Sequence, residues 1–207
     1  MSALHPLSTA DIARRLAAVK YPDDEYRLPD ELLNQPCRAA AVLVPFLKDE
    51  NNGWHLLFTR RADTLPEHKG QVAFPGGRCD PNDPSPEAAA LREAHEEIGL
   101  APADVQILGR LAELRTISNF CVTPVVGVIP WPYPLRLATK EVSRVFTIPL
   151  AWLANESNHE IRQRQLPPPH APVPVVYFKP YKGEVLWGIS ASITLALIRN
   201  LTPSPKA

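Results

Sequence analysis

The stretch that most constrains the fold is Gly76 to Leu100, GGRCDPNDPSPEAAALREAHEEIGL. It reads as a glycine turn, a polar loop and one acidic helix. Ser85 suits the N-cap, and Pro86 suits the first helical position, where its missing N–H removes no bond. Glu87 lies in the first turn, where negative charge is favoured. Ala88, Leu91, His95 and Ile98 recur at helical spacing and are predicted to face the core. Gly99 fits the left-handed position that ends many helices. Glu93, Glu96 and Glu97 stand at i, i+3 and i+4, so their carboxylates project together. Like charges at that spacing each cost about 0.2–0.5 kcal/mol, and the negative end of the helix dipole adds a further penalty. Arg92 offsets part of this by pairing with Glu96 at i+4. Acids on a helix usually form a solvated face. Here local electrostatics opposes the placement, and a hard divalent cation with oxygen ligands would resolve the conflict.

Arg92-Glu93-x-x-Glu96-Glu97-x-Gly99-Leu100 resembles the second half of the Nudix box, Arg-Glu-U-x-Glu-Glu-x-Gly-U with U aliphatic. The first half departs from that pattern. From Gly77 to Arg92 there are 15 steps where the box has one fewer, Asp83 stands near the expected Glu, and Ala94 occupies U. Upstream, LFTRRADTLPEHKGQVAFPGG, Leu57 to Gly77, is similar to the signature preceding the box in coenzyme A pyrophosphatases of that superfamily. Thr59, Arg61, Ala62, Gly70, Phe74, Pro75, Gly76 and Gly77 match it; Phe58 replaces a Leu, and Pro66 replaces an Arg.

The resemblance covers about residues 38–200 and implies an α/β fold, the Nudix α/β/α sandwich with a mixed β-sheet. It implies Mg²⁺ or Mn²⁺, held by Glu93, Glu97 and Glu96 with the Gly76 carbonyl as a further ligand; a purely structural glycine is the alternative at Gly76. Glu93 and Glu97, at i and i+4, form the primary pair. The implied reaction cleaves the diphosphate of coenzyme A or acyl-CoA to 3′,5′-ADP and 4′-phosphopantetheine or its acyl derivative. Glu93, Glu96 or Glu141 would take the proton from water, and Arg92 would orient the acids. Arg60, Arg61, His68 and Lys69 are candidates for the substrate phosphates, since guanidinium and ammonium groups suit such contacts. Two alternatives stay open: a Nudix hydrolase of NADH, ADP-ribose or an oxidised nucleotide, and a non-catalytic domain that senses a nucleotide.

Composition narrows the partners. Lys plus Arg equals Asp plus Glu, at 22 each in 207 residues, so nucleic-acid or membrane binding through bulk charge is not expected. The expected partner is a small molecule; self-association into a homodimer is left open. Cys37, Cys79 and Cys121 lack metal-ligand spacing and read as free thiols in a reducing compartment. Without a secretory pattern or an apolar run of membrane-spanning length, the chain is expected in the cytoplasm.

The remaining elements follow from patterning. Residues 1–37 are expected to hold a short helix from Ser8 to Val19, with Ile12, Leu16 and Val19 inward, and a linker. Residues 38–201 form the main domain and 202–207 a tail. Strands are predicted at Arg38–Leu47 and Trp54–Arg60 as a hairpin, and at Gln71–Phe74 and Val105–Arg115, with Gly109 a bulge. Another is expected at Cys121–Ile129, where Pro124 suggests an edge. Glu141–Pro149 leads into a short helix, Leu166–Pro174 is a stiff extended segment, and Val175–Phe178 with Val185–Trp187 reads as a closing hairpin. A helix from Ile189 carries Ile193, Leu197 and Leu201 on one ridge.

Overall fold

A computed structural model describes residues 7–18, 28, 34, 36–64, 69–166 and 171–202. His68, Val19 and most of the 21–36 linker, residues 167–170 and the 203–207 tail lie outside them. Helix α1 (Thr9–Ala17) begins in a capping box between Ser8 and Asp11 and buries Ile12 and Leu16. The strands β1 (Arg38–Lys48) and β2 (Trp54–Arg61) form the expected hairpin, with Phe46 opposite Leu56. Short strands β3 (Val72–Ala73) and β4 (Gly76–Arg78) follow, then helix α2 (Pro86–Ile98). Next come β5 (Gln106–Arg110), β6 (Leu114–Arg115), β7 (Phe120–Val128), β8 (Val142–Pro149), helix α3 (Leu150–Leu153), β9 (His159–Arg164), β10 (Val173–Phe178) and helix α4 (Ile189–Leu201).

One mixed sheet has the order β3-β2-β1-β7-β5, with β4 on β1, β6 on β7 and β8 on β2; β9 and β10 form a separate pair. β1 and β7 run parallel from Arg38 beside Phe120 to Phe46 beside Val128. Successive side chains of a strand point to opposite faces, so β1 feeds two cores. Ala40, Val44 and Phe46 join α1, α3 and α4 on one face. Ala41, Leu43 and Leu47 pack with Ala89, Ala90, Ala94 and Ile98 of α2 on the other. These two helical layers around a mixed sheet are the expected α/β/α sandwich. Ile193, Leu197 and Leu201 of α4 are buried as predicted.

Several expectations change. The Gly76–Gly77 segment is not a turn but strand β4, paired antiparallel with β1 through Ala41 and Gly77. The 105–115 strand is two pieces, β5 and β6, and the bulge does fall at Ile107–Gly109. Pro124 lies in an interior strand, between β1 and the β5–β6 edge. Its carbonyl accepts from Leu111 N–H at 2.9 Å, where pairing passes from β5 to β6, so the missing N–H falls at a break in the ladder. Strand β10 pairs with β9, a strand patterning missed, while Tyr177–Trp187 is an isolated bridge. Cys37 and Cys121 are not free thiols: they are disulfide-bonded across 84 residues, with Cα atoms 5.6 Å apart, and only Cys79 is a free thiol. Among the described residues no helix is long and apolar enough to cross a membrane.

Candidate active site

Helix α2 carries the acids because its ends are well determined. The Ser85 hydroxyl accepts from Ala88 N–H at 3.2 Å, and Gly99 closes the helix at φ 70°. The face turned to the sheet differs from the predicted one. Ala89, Ala90, Ala94 and Ile98 are buried, Ala88 and Leu91 are only half-buried, and His95 is exposed. Periodicity weighted the larger side chains, whereas α2 approaches β1 through a stripe of alanines. That rotation carries Glu97 inward, to 6% exposure, leaves Glu93 half-buried and keeps Glu96 exposed.

Strand β4 presses on the acids. The Gly76 N–H donates to Glu97 Oε2 at 3.3 Å. The N–H and C=O of one strand residue share an edge, so the Gly76 carbonyl also faces away from β1. A Cβ at Gly76 would lie 2.4 Å from the Ala41 carbonyl oxygen and 2.5 Å from Val42 Cα. A Cβ at Gly77 would lie 2.6 Å from the Glu93 carboxylate. Both glycines are thus required by close approach, one to backbone and one to the acid.

Arg92 joins loop to helix. Its Nε and Nη2 donate to the two Asp83 oxygens at 3.1 and 2.9 Å, Nη1 donates to Glu93 at 2.9 Å and Glu96 at 3.2 Å, and Nη2 also reaches the Arg78 carbonyl at 3.0 Å. The expected Arg92–Glu96 pair is present, but the two-pronged contact with Asp83 holds the loop. These contacts with Arg92 hold the Asp83 carboxyl below its ordinary range.

The electrostatics matches a cation site. Burial pushes Glu97 up to about 7, with the Gly76 N–H and Arg61 opposing and Glu93 and Glu141 reinforcing the rise. Burial also raises Glu93, against the pull of Arg92 and with the push of Glu96 and Glu141. Thus Glu93, Glu97 and Glu141 share one electrostatic environment, although Glu141 comes from the exposed turn before β8. The Ala62 N–H donates to the Glu141 carbonyl at 2.8 Å, which seats that turn beside the end of β2. The Glu141 carboxylate has no ion pair or hydrogen bond among the described residues. Carboxylates that act on one another electrostatically suit a hard divalent cation, which Glu93, Glu97 and the Gly76 carbonyl would hold, with Glu96 and Glu141 at the margin.

Of the candidate phosphate contacts among the described residues, Arg61 alone is brought to the acids. Neighbouring residues of β2 point to opposite faces, so Arg61 acts on Glu97 while Arg60 turns away. The Arg61 Nε is buried and has no hydrogen-bond partner among the described residues. Arg60 instead donates to both oxygens of Asp63 at 2.9 Å, contacts Ser143 Oγ at 3.2 Å and lies 3.7 Å from Glu184. It lines a cleft of about 560 Å³ with Gly70, Ser143, Arg144, Glu184 and Trp187. Lys69 is exposed near Asp63. The cleft was not anticipated, because Glu184 and Trp187 reach it only through the bridges after β10.

Known proteins resemble this chain in sequence and fold. The NUDIX domain family model matches residues 38–172. The chain belongs to the Nudix family. It is 40% identical over 174 residues to the Nudix hydrolase NudL of Photorhabdus laumondii, covering 84% of this chain and 90% of that protein. It is 38% identical over 180 residues to NudL of Enterobacter sp. (strain 638), covering 86% and 90%. A MutT/nudix family protein from Enterococcus faecalis shares the fold at TM-score 0.50 and 16% identity, over 96% of this chain and 70% of that one.

Proposed function

We propose that this Nudix protein is a hydrolase of coenzyme A or acyl-CoA, dependent on Mg²⁺ or Mn²⁺ and working in the cytoplasm. The observation that carries the diphosphatase reading is the buried Glu97 carboxylate beside a guanidinium whose Nε has no hydrogen-bond partner among the described residues. A cation on the acids and Arg61 next to it suit the oxygens of a diphosphate, whose charge needs both. The coenzyme A assignment rests on the match of Leu57–Gly77 to the pyrophosphatase signature.

When bound, the cation acidifies water and neutralises charge on the diphosphate. The protein's own groups divide the other tasks. Arg61 binds and orients the diphosphate. Arg92, clamped by Asp83, holds Glu93 and Glu96 at fixed positions. Glu141, the carboxylate in this group without a cationic partner among the described residues, takes the proton from the attacking water. Glu96 shares Arg92, which suits it less for proton transfer.

The test is a substrate panel with each metal. Coenzyme A is expected to show higher kcat/KM than dephospho-coenzyme A, NADH or ADP-ribose, with 3′,5′-ADP and 4′-phosphopantetheine as products. Equal or better turnover of NADH would overturn the coenzyme A assignment while leaving a diphosphatase. No phosphate-bond cleavage with either metal would favour a nucleotide-sensing domain.

A further inference from the structure

A second cluster of metal-ligating side chains lies at the far end of the same strands. β1 and β7 run parallel with Ala39 beside Cys121, and Cys37 precedes Ala39 by two residues on the same face. Across the other edge of β7, Arg115 of β6 stands opposite Cys121. Glu113, two residues before Arg115, shares that face. One Sγ from each cysteine and a Glu113 carboxylate oxygen all lie within 4.8 Å of one another. Cys121 is 9% exposed, Cys37 is half-buried and Glu113 is exposed, so the group opens to solvent.

We propose that in the dithiol state Cys37, Cys121 and Glu113 form a second cation site, for a thiophilic divalent ion such as Zn²⁺. Two thiolates and a carboxylate suit a borderline-soft ion and disfavour Mg²⁺, which prefers oxygen donors throughout. With bonds of about 2.0–2.3 Å, a tetrahedral centre sets its ligand atoms roughly 3.3–3.8 Å apart. The Glu113 oxygen lies no more than 4.8 Å from either sulfur, and the sulfurs must move apart to that spacing once the bond opens. Three protein ligands leave the fourth position to water, on the exposed side of Glu113. The disulfide and the metal exclude each other, because the bonded sulfurs carry no thiolate. Reduction by a phosphine opens the S–S bond, transfers the oxygen of one water to phosphorus and leaves two thiols. Each thiol then gives up its proton on binding the ion.

Cobalt(II) tests this directly, because thiolate ligation produces a near-ultraviolet charge-transfer band that carboxylate sites cannot. Phosphine-reduced protein, with Mg²⁺ in excess to occupy the Glu93–Glu97 cluster, is titrated with Co²⁺ and back-titrated with Zn²⁺. The expected result is one equivalent of the band, displaced by Zn²⁺ and absent before reduction. Cys37→Ser and Cys121→Ser should reduce it sharply, and Cys79→Ser should leave it intact. Glu113→Gln, which keeps both thiols and the disulfide, should weaken Co²⁺ binding by roughly tenfold or more. Far-ultraviolet circular dichroism of each reduced variant separates loss of the site from loss of the fold. No band in folded, reduced wild type would overturn the proposal. So would a band that survives Cys37→Ser, that depends on Cys79, or that is indifferent to Glu113→Gln.

Discussion

At the scale of single residues, Glu97 is the outlier: a carboxylate on a helix that packing turns inward. Its raised pKa, about 7 against 4.5 in the unfolded chain, gives a signed expectation for metal-free protein. The folded state binds the extra proton between those two values, so stability is full near pH 4.5 and falls as pH rises to about 7. The total loss is on the order of 3 kcal/mol, with Glu93 contributing in the same direction. Urea melts in EDTA at pH 5 and pH 8 should show wild type weaker at the higher pH. A pH-independent midpoint would contradict the burial argument. Two other residues have separable roles. Glu141→Gln should lower kcat by roughly 10²-fold with little change in KM, as expected on losing a general base; near wild-type kcat would leave it an ordinary turn acid. Arg61→Ala should raise KM for the diphosphate substrate and lower kcat/KM by roughly tenfold or more, since a charge-assisted contact contributes about 1.5–3 kcal/mol. An unchanged KM would remove Arg61 from substrate binding.

At the scale of elements, β4 and α2 must approach closely, and the two glycines divide that demand. Gly76→Ala places its Cβ against β1 backbone, so it should destabilise the fold by roughly 1–3 kcal/mol, as overpacking does. Gly77→Ala places its Cβ against the movable end of Glu93, so it should cost activity and spare stability. Measuring melts and kcat for both variants checks this; equal loss of stability would mean that Glu93 cannot shift. Much of the element structure was legible beforehand. The Ser85 cap, the Gly99 stop and the β1–β2 hairpin carry local signals, and local signals survive folding. The inward face of α2 was misread because alanines carry little weight in a periodicity, yet only alanines let the helix lie this near the sheet. The glycine strand β4 looked like a turn because its conformation is set by its neighbour β1. Strand β9, HEIRQR, has too few apolar residues to show a period.

At the scale of the whole molecule, the site draws on β2, β4, α2 and the turn before β8, which sheet order brings together and chain order does not. That Glu93, Glu96 and Glu97 share one helix was readable from their spacing. Arg61's separation from Arg60, the burial of Glu97 and the Cys37–Cys121 bond were not, since each depends on which strands become neighbours. The central claim is that the acid face is held for a cation rather than for folding. Glu97→Gln tests it most directly, by paired urea melts with EDTA and with Mg²⁺ at pH 8, beside hydrolysis of coenzyme A. Removing the buried charge should make the variant at least as stable as wild type in EDTA. Mg²⁺ should stabilise wild type and add little to the variant, and activity should fall by orders of magnitude. A variant clearly weaker than wild type in EDTA, or one that keeps full activity, would contradict the account.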